Sequence, residues 1–271
     1  MAETLRSIVH PWECDAVEHF TTAYYFQAYS SAGWYLLQLM GYSLDEMAAL
    51  QPVSCRTTFT RELRAGDAYH IESGLIASEG DTLTFGHRLY NSEDGGLSAT
   101  HVLVLAGNGR EVNDDHLITW ETETPAEIDF DSFGRWATTS RSMVRDRDLD
   151  HTGRLDLSAL IHHTSDANVQ FQNAIGMTSS YMAEKRIGFA TFAYEIRFHD
   201  LPDRPGTVMK TDTALAHIGK SSLWFAHRVT DGMSGRPLAD VAQLGVHLDR
   251  AARRASPIPE AIRIKAADYQ G

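Results

Sequence analysis

Asp15 and His19 stand four residues apart, at the mouth of a segment that carries no charged side chain between Phe20 and Leu44. A carboxylate beside an imidazole suits acid–base or nucleophilic chemistry. The Asp can take a proton from water or attack an electrophilic carbon itself, and the His can orient its partner or handle the proton. If a helix begins just after the pair, its first N–H groups lack partners inside the helix. They would face any oxygen on which negative charge develops, helped by the dipole. Phe20, Thr21 and Thr22 occupy those positions, and the two threonines can also position water or a carbonyl. The structural alternative for Asp15 is an N-cap, which needs no chemistry. Its spacing from His19 favours the catalytic role.

The uncharged segment itself predicts one buried helix. Ala28, Ala32, Tyr35, Leu36 and Leu39 recur at spacings of three and four, while Tyr25, Tyr29, Trp34 and Leu37 cover the other side. A helix apolar nearly all round must be enclosed on most sides. Gln27, Ser30, Ser31, Gly33 and Gln38 interrupt the run, which falls short of the roughly 18 to 20 apolar residues a bilayer span needs. Gly41 is a suitable left-handed stop.

The whole chain of 271 residues can bury one large core or two medium ones, and two domains are the expectation. Its net charge of -12 argues against nucleic acid as a partner. Two cysteines, Cys14 and Cys55, give no disulfide framework and no thiol pair at metal-finger spacing. His162-His163 and His199-Asp200 form no recognisable metal constellation. The start lacks the basic and apolar regions of a secretory signal, so a cytoplasmic protein without a membrane segment is expected.

Along the chain, residues 7–13 read as a strand leading to Asp15, and 43–50 as a small helix capped by Ser43. Four strands are expected at 56–64, 68–78, 82–90 and 98–106, separated by Gly- and Asp-bearing turns. Residues 108–153 read as a connecting segment, with Trp120, Phe130, Phe133 and Trp136 packing it onto a domain surface. The unit then recurs. Asp166, Phe171 and Ala174 match Asp15, Phe20 and Ala23, Glu195-Ile196-Arg197 matches Glu62-Leu63-Arg64, and Phe225, His227 and Arg228 match Phe85, His87 and Arg88. Residues 250–271 read as a solvated basic tail.

The stretch Pro-Trp-Glu-Cys-Asp15-Ala-Val-Glu-His19-Phe-Thr-Thr-Ala-Tyr24-Tyr25 resembles the helix-entrance motif of hotdog-fold acyl-CoA thioesterases of the 4-hydroxybenzoyl-CoA type. That motif reads Asp, two residues, Gly-His-Met-Asn, two or three residues, Tyr-Tyr. Here Glu18, Phe20 and Thr21 replace the Gly, Met and Asn. The second half keeps Asp166 but has Gln170 where the His is expected. The resemblance covers residues 5–107 and, more loosely, 155–249, so the chain is similar to tandem, or double-hotdog, thioesterases.

The resemblance implies an α+β fold of two hotdog domains, each a long buried helix wrapped by an antiparallel sheet. They would occupy 1–107 and 154–249, with the connection at 108–153 and the tail at 250–271. It implies thioester hydrolysis with Asp15, His19 and Asp166 as catalytic residues. Phe20, Thr21 and Thr22 would place the oxyanion, and Tyr24, Tyr25, Asn168, Arg88 and Arg228 would contact substrate. From the residues alone, strand-face ion pairs with Glu62 and Glu195 are the favoured reading of Arg88 and Arg228, and a core position that of the tyrosines. No cofactor is implied beyond the coenzyme A of an acyl-CoA substrate. An acyl carrier protein is the other candidate carrier, and hydration of an acyl thioester or acyl binding alone are the other functions. A homo-oligomer of the pseudo-dimeric chain would be compatible with this plan.

Overall fold

The computed structural model describes residues 1–15, 18–110, 112, 117–121 and 128–269. They fall into two compact units, Met1–Ala126 with Asp156–Ser158, and Glu127–Leu155 with Ala159–Gly271. Among the described residues, no helix is long and apolar enough to cross a membrane.

The first unit runs β1 (Ala2–Ile8), α1 (Thr22–Leu39), α2 (Leu44–Ala49), β2 (Gln51–Phe59), β3 (Ala68–Glu79), β4 (Thr82–Asn91) and β5 (Leu97–Ala106). Its strands form an antiparallel sheet in the order β1-β3-β4-β5-β2. The strand expected at 7–13 lies earlier. Pro11 has no N–H for a ladder and opens a 3-10 turn over Pro11–Glu13 instead. The strand expected at 56–64 also ends sooner, at Phe59, because the N–H groups of Thr60 and Arg61 both turn to the Ser98 carbonyl.

Helix α1 packs on β1, β3 and β4. Ala28, Ala32 and Leu36 are buried with Tyr25, Tyr29 and Leu37, against Ile71, Leu75, Phe85 and Leu89 of the sheet. Tyr35 and Leu39, expected on the buried face, are instead 46% and 50% exposed. They fall on a stripe with Gln27, Ser31 and Gln38 that the sheet does not reach. Gly41 takes φ +80° just past the helix, as a left-handed stop requires. Ser43 caps α2 by accepting from the Glu46 N–H.

The second unit runs β6 (Ala137–Met143), α3 (Leu157–Ala174), α4 (Ser179–Lys185), β7 (Ile187–Phe198), β8 (Val208–Ile218), β9 (Ser222–Asp231), β10 (Pro237–Asp249), β11 (Arg254–Ala255) and α5 (Glu260–Ala267). The order is β7-β10-β9-β8-β6, with β11 pairing β10. Two expectations change here. The stretch 108–153, part of which lies outside the described residues, contains β6 as a sheet edge. The C-terminal stretch is not a solvated tail, because Ile258, Ile262 and Ala266 are buried with Phe171, Leu215 and Phe225.

Up to the fifth strand of each, the two units repeat element for element, in a register that differs from the one read in the sequence; β11 and α5 have no counterpart in the first. Asp166 lies in the middle of α3, not at its start. The counterpart of Asp15 is Asp150. Asp15 N donates to His19 O at 2.9 Å, Asp150 N donates to Arg154 O at 2.7 Å, and Glu18 N and Gly153 N each donate 3.0 Å back to the Asp carbonyl. Cys14 bridges Phe20 as Leu149 bridges Leu155. Phe20 N donates to Leu63 O and Leu155 N to Pro202 O, so Leu63 corresponds to Pro202 and the Glu195-Ile196-Arg197 match fails. The third match holds. Ser73 Oγ lies 2.6 Å from His87 Nδ1, and Thr213 Oγ1 lies 2.8 Å from His227 Nδ1. Each unit is a long helix on a five-stranded antiparallel sheet, and the chain is an α+β tandem of two hotdog domains.

The repeat exposes a strained residue. Glu18 holds φ +66° where the other half has Gly153 at φ +80°, and a Cβ disfavours that region. Glu18→Gly is expected to raise unfolding stability by about 1 kcal/mol, and Gly153→Ala to lower it by a similar amount, both read by denaturant melts.

Three core histidines make a second test. Burial pushes His87 from 6.5 to about 3, His227 to about 4 and His101 well down. The unfolded chain takes up protons near 6.5 that the folded one refuses. Stability is therefore complete above that value and is lost as pH falls toward about 3. Melting temperature should drop across this window, and a His87→Asn, His227→Asn variant should drop less.

Candidate functional site

The loop ahead of α1 is built around the Asp15 carboxylate. Asp15 Oδ1 accepts from the His19 N–H at 3.0 Å, closing a turn whose Glu18 is left-handed. Asp15 is exposed, while His19 is partly buried. The His19 ring lies against the Glu62 carboxylate. Its Nε2 lies 3.2 Å from Glu62 Oε2, with the two side chains 17% and 35% exposed. Two carboxylates therefore flank one histidine, Asp15 through its backbone and Glu62 through its ring.

Two of the expected oxyanion donors are committed within the fold. Phe20 N–H donates to Leu63 O at 2.8 Å and Thr21 N–H to Glu13 O at 2.9 Å. Both amides lock the loop onto its neighbours and neither is available to a substrate oxygen in this conformation. Thr22 is the first residue of α1. Tyr24 is half-buried and stacks on Phe20, with ring centroids 6.3 Å apart. Tyr25 is a core residue. It is 3% exposed, lies 4.5 Å from Phe20 and meets Phe59 edge-on, and burial pushes its hydroxyl far up.

The corresponding loop of the second unit keeps the carboxylate and changes its surroundings. Asp150 Oδ1 accepts from Thr152 N–H at 2.8 Å, Thr152 Oγ1–H at 2.6 Å and Arg154 N–H at 3.2 Å. Arg154 stands where the first half has His19. Asp156, just ahead of α3, accepts from Ser158 N–H at 2.8 Å. Asp150, Gly153 and the pairing of Glu62 with His19 were not singled out in the sequence. The signal for the first two was present, since Asp150-His-Thr-Gly153 carries the motif glycine that the first half lacks.

The remaining expected residues lie elsewhere. Asn168 is 4% exposed and sits inside the second unit, donating to Gln243 Oε1 at 3.0 Å and accepting from Gln172 at 3.1 Å. Asp166 is two residues away on the same helix, about half a turn round, and is exposed. Arg88 and Arg228 do not pair with Glu62 and Glu195 as expected, because the strand register sets Glu72 and Asp212 opposite them. Arg88 lies over the Trp120 ring at 4.8 Å. Arg228 lies over Trp136 at 4.4 Å and bonds the Phe130 carbonyl and Asp131. Arg228 lines a cavity of about 530 Å³ with Arg197, His199 and Asp240, where Arg197 is held by the Ile128 carbonyl and His199 by Asp240. Among the described residues, no cluster of His, Cys, Asp or Glu could hold a metal ion.

A Lactobacillus plantarum structure assigned as an oleoyl thioesterase aligns with a TM-score of 0.66 at 11% identity, covering 90% of this chain and 95% of that one. The 12:0-ACP thioesterase of Umbellularia californica aligns at 0.63 and 10% identity, covering 90% and 93%. An acyl-ACP thioesterase of Bacteroides thetaiotaomicron aligns at 0.63 and 10%, covering 89% and 96%. At such identities the likeness is one of fold. No curated protein sequence matches. The sequence itself matches the profile of the thioesterase-like superfamily over residues 9–107 and 144–265, and the chain belongs to that superfamily.

Proposed function

We propose that the chain hydrolyses an acyl thioester, with Asp15 as the carboxylate that activates water or attacks the carbonyl. The observation that carries this reading is the Asp15 loop. Its carboxylate is fixed by the His19 N–H directly ahead of the first turn of α1. Water adds to the thioester carbonyl carbon as its proton passes to Asp15. The carbonyl oxygen gains negative charge facing the start of α1 at Thr22 and Ala23, and the C–S bond then breaks, with the sulfur taking up a proton. His19, braced by Glu62, holds the loop and handles the proton. Tyr24 borders the approach.

Asp150 is the matching carboxylate of the second half, and replaces Asp166 in that role. Its site has Arg154 in place of the His19–Glu62 pair, and we assign it the weaker turnover. The preferred substrate is an acyl-CoA of the kind hydrolysed by 4-hydroxybenzoyl-CoA-type thioesterases, since a net charge of -12 opposes an acidic carrier protein. The fold relatives named as acyl-ACP thioesterases support the carrier-protein alternative.

The test is thiol release from a panel of acyl-CoA and acyl-carrier-protein thioesters. Asp15→Asn should lower kcat/KM by roughly 10²–10⁴-fold with little change in melting temperature, because an Asn oxygen still accepts from His19 N–H. Adding Asp150→Asn should remove what turnover remains. Undiminished hydrolysis in Asp15→Asn would sink the assignment.

A further inference from the structure

His87, on β4 beneath α1, sits at the end of a hydroxyl chain that fixes which ring nitrogen carries its proton. Thr4 Oγ1 donates to Ile71 O at 3.3 Å and lies 2.6 Å from Ser73 Oγ, which lies 2.6 Å from His87 Nδ1. With the Thr4 proton on the carbonyl, Ser73 donates to Thr4, and Ser73 Oγ accepts from His87 Nδ1–H. His87 Nε2 is then a lone-pair acceptor. It is fully buried, and no described residue donates to it. The Tyr29 hydroxyl, on a ring 5.9 Å from that of His87, is also buried without a partner. Beside Nε2, α1 presents Gly33, where a Cβ would stand 3.8 Å from that nitrogen.

The second unit shows the same arrangement with different neighbours. Thr139, Thr213 and His227 Nδ1 repeat the hydroxyl chain. The residues matching Gly33 and Leu103, however, are Asn168 and Gln243, a hydrogen-bonded amide pair, with Gln243 interacting with His227. His227 Nε2 has no bond of full geometry, yet it has an amide for a neighbour.

A buried acceptor beside a glycine, on a ring that neighbours the stacked rings of Tyr29 and His101, selects its ligand. An anion would face a lone pair, and a cation would be stranded among Ala32, Ile71 and Leu89 of the core. A neutral O–H group satisfies the nitrogen without adding charge. We propose that the first unit encloses a binding site for a neutral hydroxyl, which donates to His87 Nε2 beside Gly33. Two sources supply that chemistry. One is an ordered water. The other is a hydroxyl at the far end of a bound acyl group, since Gly33 lies about 16 Å along α1 from Thr22. Only the second source rests on the thioesterase reading.

The test is long-range proton–nitrogen NMR on the full chain with labelled histidine. His87 Nδ1 should carry the proton and Nε2 should show the upfield shift of a hydrogen-bonded acceptor. In the water case the shift is present without ligand, with cross-relaxation from water to the ring. In the acyl case it appears only with an ω-hydroxyacyl-CoA and not with its deoxy analogue, and KM for the hydroxylated thioester is lower by about tenfold or more. Gly33→Asn with Leu103→Gln, which installs the amides of the other half, should erase the signal in both cases. Gly33→Ala, whose methyl sits at ordinary contact distance, should weaken it in a chain that still folds. A proton on Nε2, or the shift of a non-bonded acceptor with and without both thioesters, would overturn the proposal. Absence of turnover with either thioester would count against the hydrolase reading alone and leave the water result standing.

Discussion

In each half, a carboxylate oxygen accepts the N–H four residues downstream, and that bond sets where the long helix begins. Asp15 takes the His19 amide and Asp150 takes the Arg154 amide, with the intervening residue bent into the left-handed region. A hydrogen bond to a charged acceptor contributes about 1.5–3 kcal/mol, enough to offset the cost of that bend. The turn then delivers the next amide to the loop that follows β2 or β7, at Leu63 or Pro202. The helix start, the sheet and the carboxylate are thus mutually fixed. The same group that closes the turn is the one placed for chemistry.

Around this shared frame the halves have parted chemically. The first keeps an imidazole after the turn and gives it a second carboxylate in Glu62. The second substitutes a guanidinium, and holds its carboxylate with a threonine amide and hydroxyl instead. The interiors diverge likewise. Under α1, Tyr29 stacks on His101 and His87 is tilted against both, whereas α3 covers a chain of amides running through Gln172, Asn168 and Gln243 to Thr191. Such changes are tolerated because the frame depends on backbone bonds and on apolar positions that both halves preserve, such as Phe85 and Phe225.

The sequence made the helix α1, its Gly41 stop, the capped α2 and the hairpins of the first half legible, because periodicity and turn composition report local geometry directly. It also showed that the chain repeats, through Phe85, His87 and Arg88. It misplaced the second motif because Asp166, Phe171 and Ala174 reproduce the spacing of the first by residue type alone, whereas in α3 Phe171 is buried and Asp166 and Ala174 are exposed. The true match rests on Asp150 and Gly153, whose neighbours differ in type and agree only in backbone bonding. The partnership of His19 with Glu62, and the fate of the Phe20 amide, depend on a chain segment more than forty residues distant. No local pattern carries that information.

The segment after β5 has a consequence for how this chain can be dissected. Ile118 donates its N–H to Leu75 O, and its side chain fills the place a Cβ would take on Gly74. Trp120 does the same over Gly86. The two glycines make the sheet's outer surface a mould for these side chains. A fragment trimmed at Ala106 would uncover a bare, apolar β-surface open to strand-on-strand adhesion. Soluble expression of the first half alone therefore depends on retaining residues through Trp120.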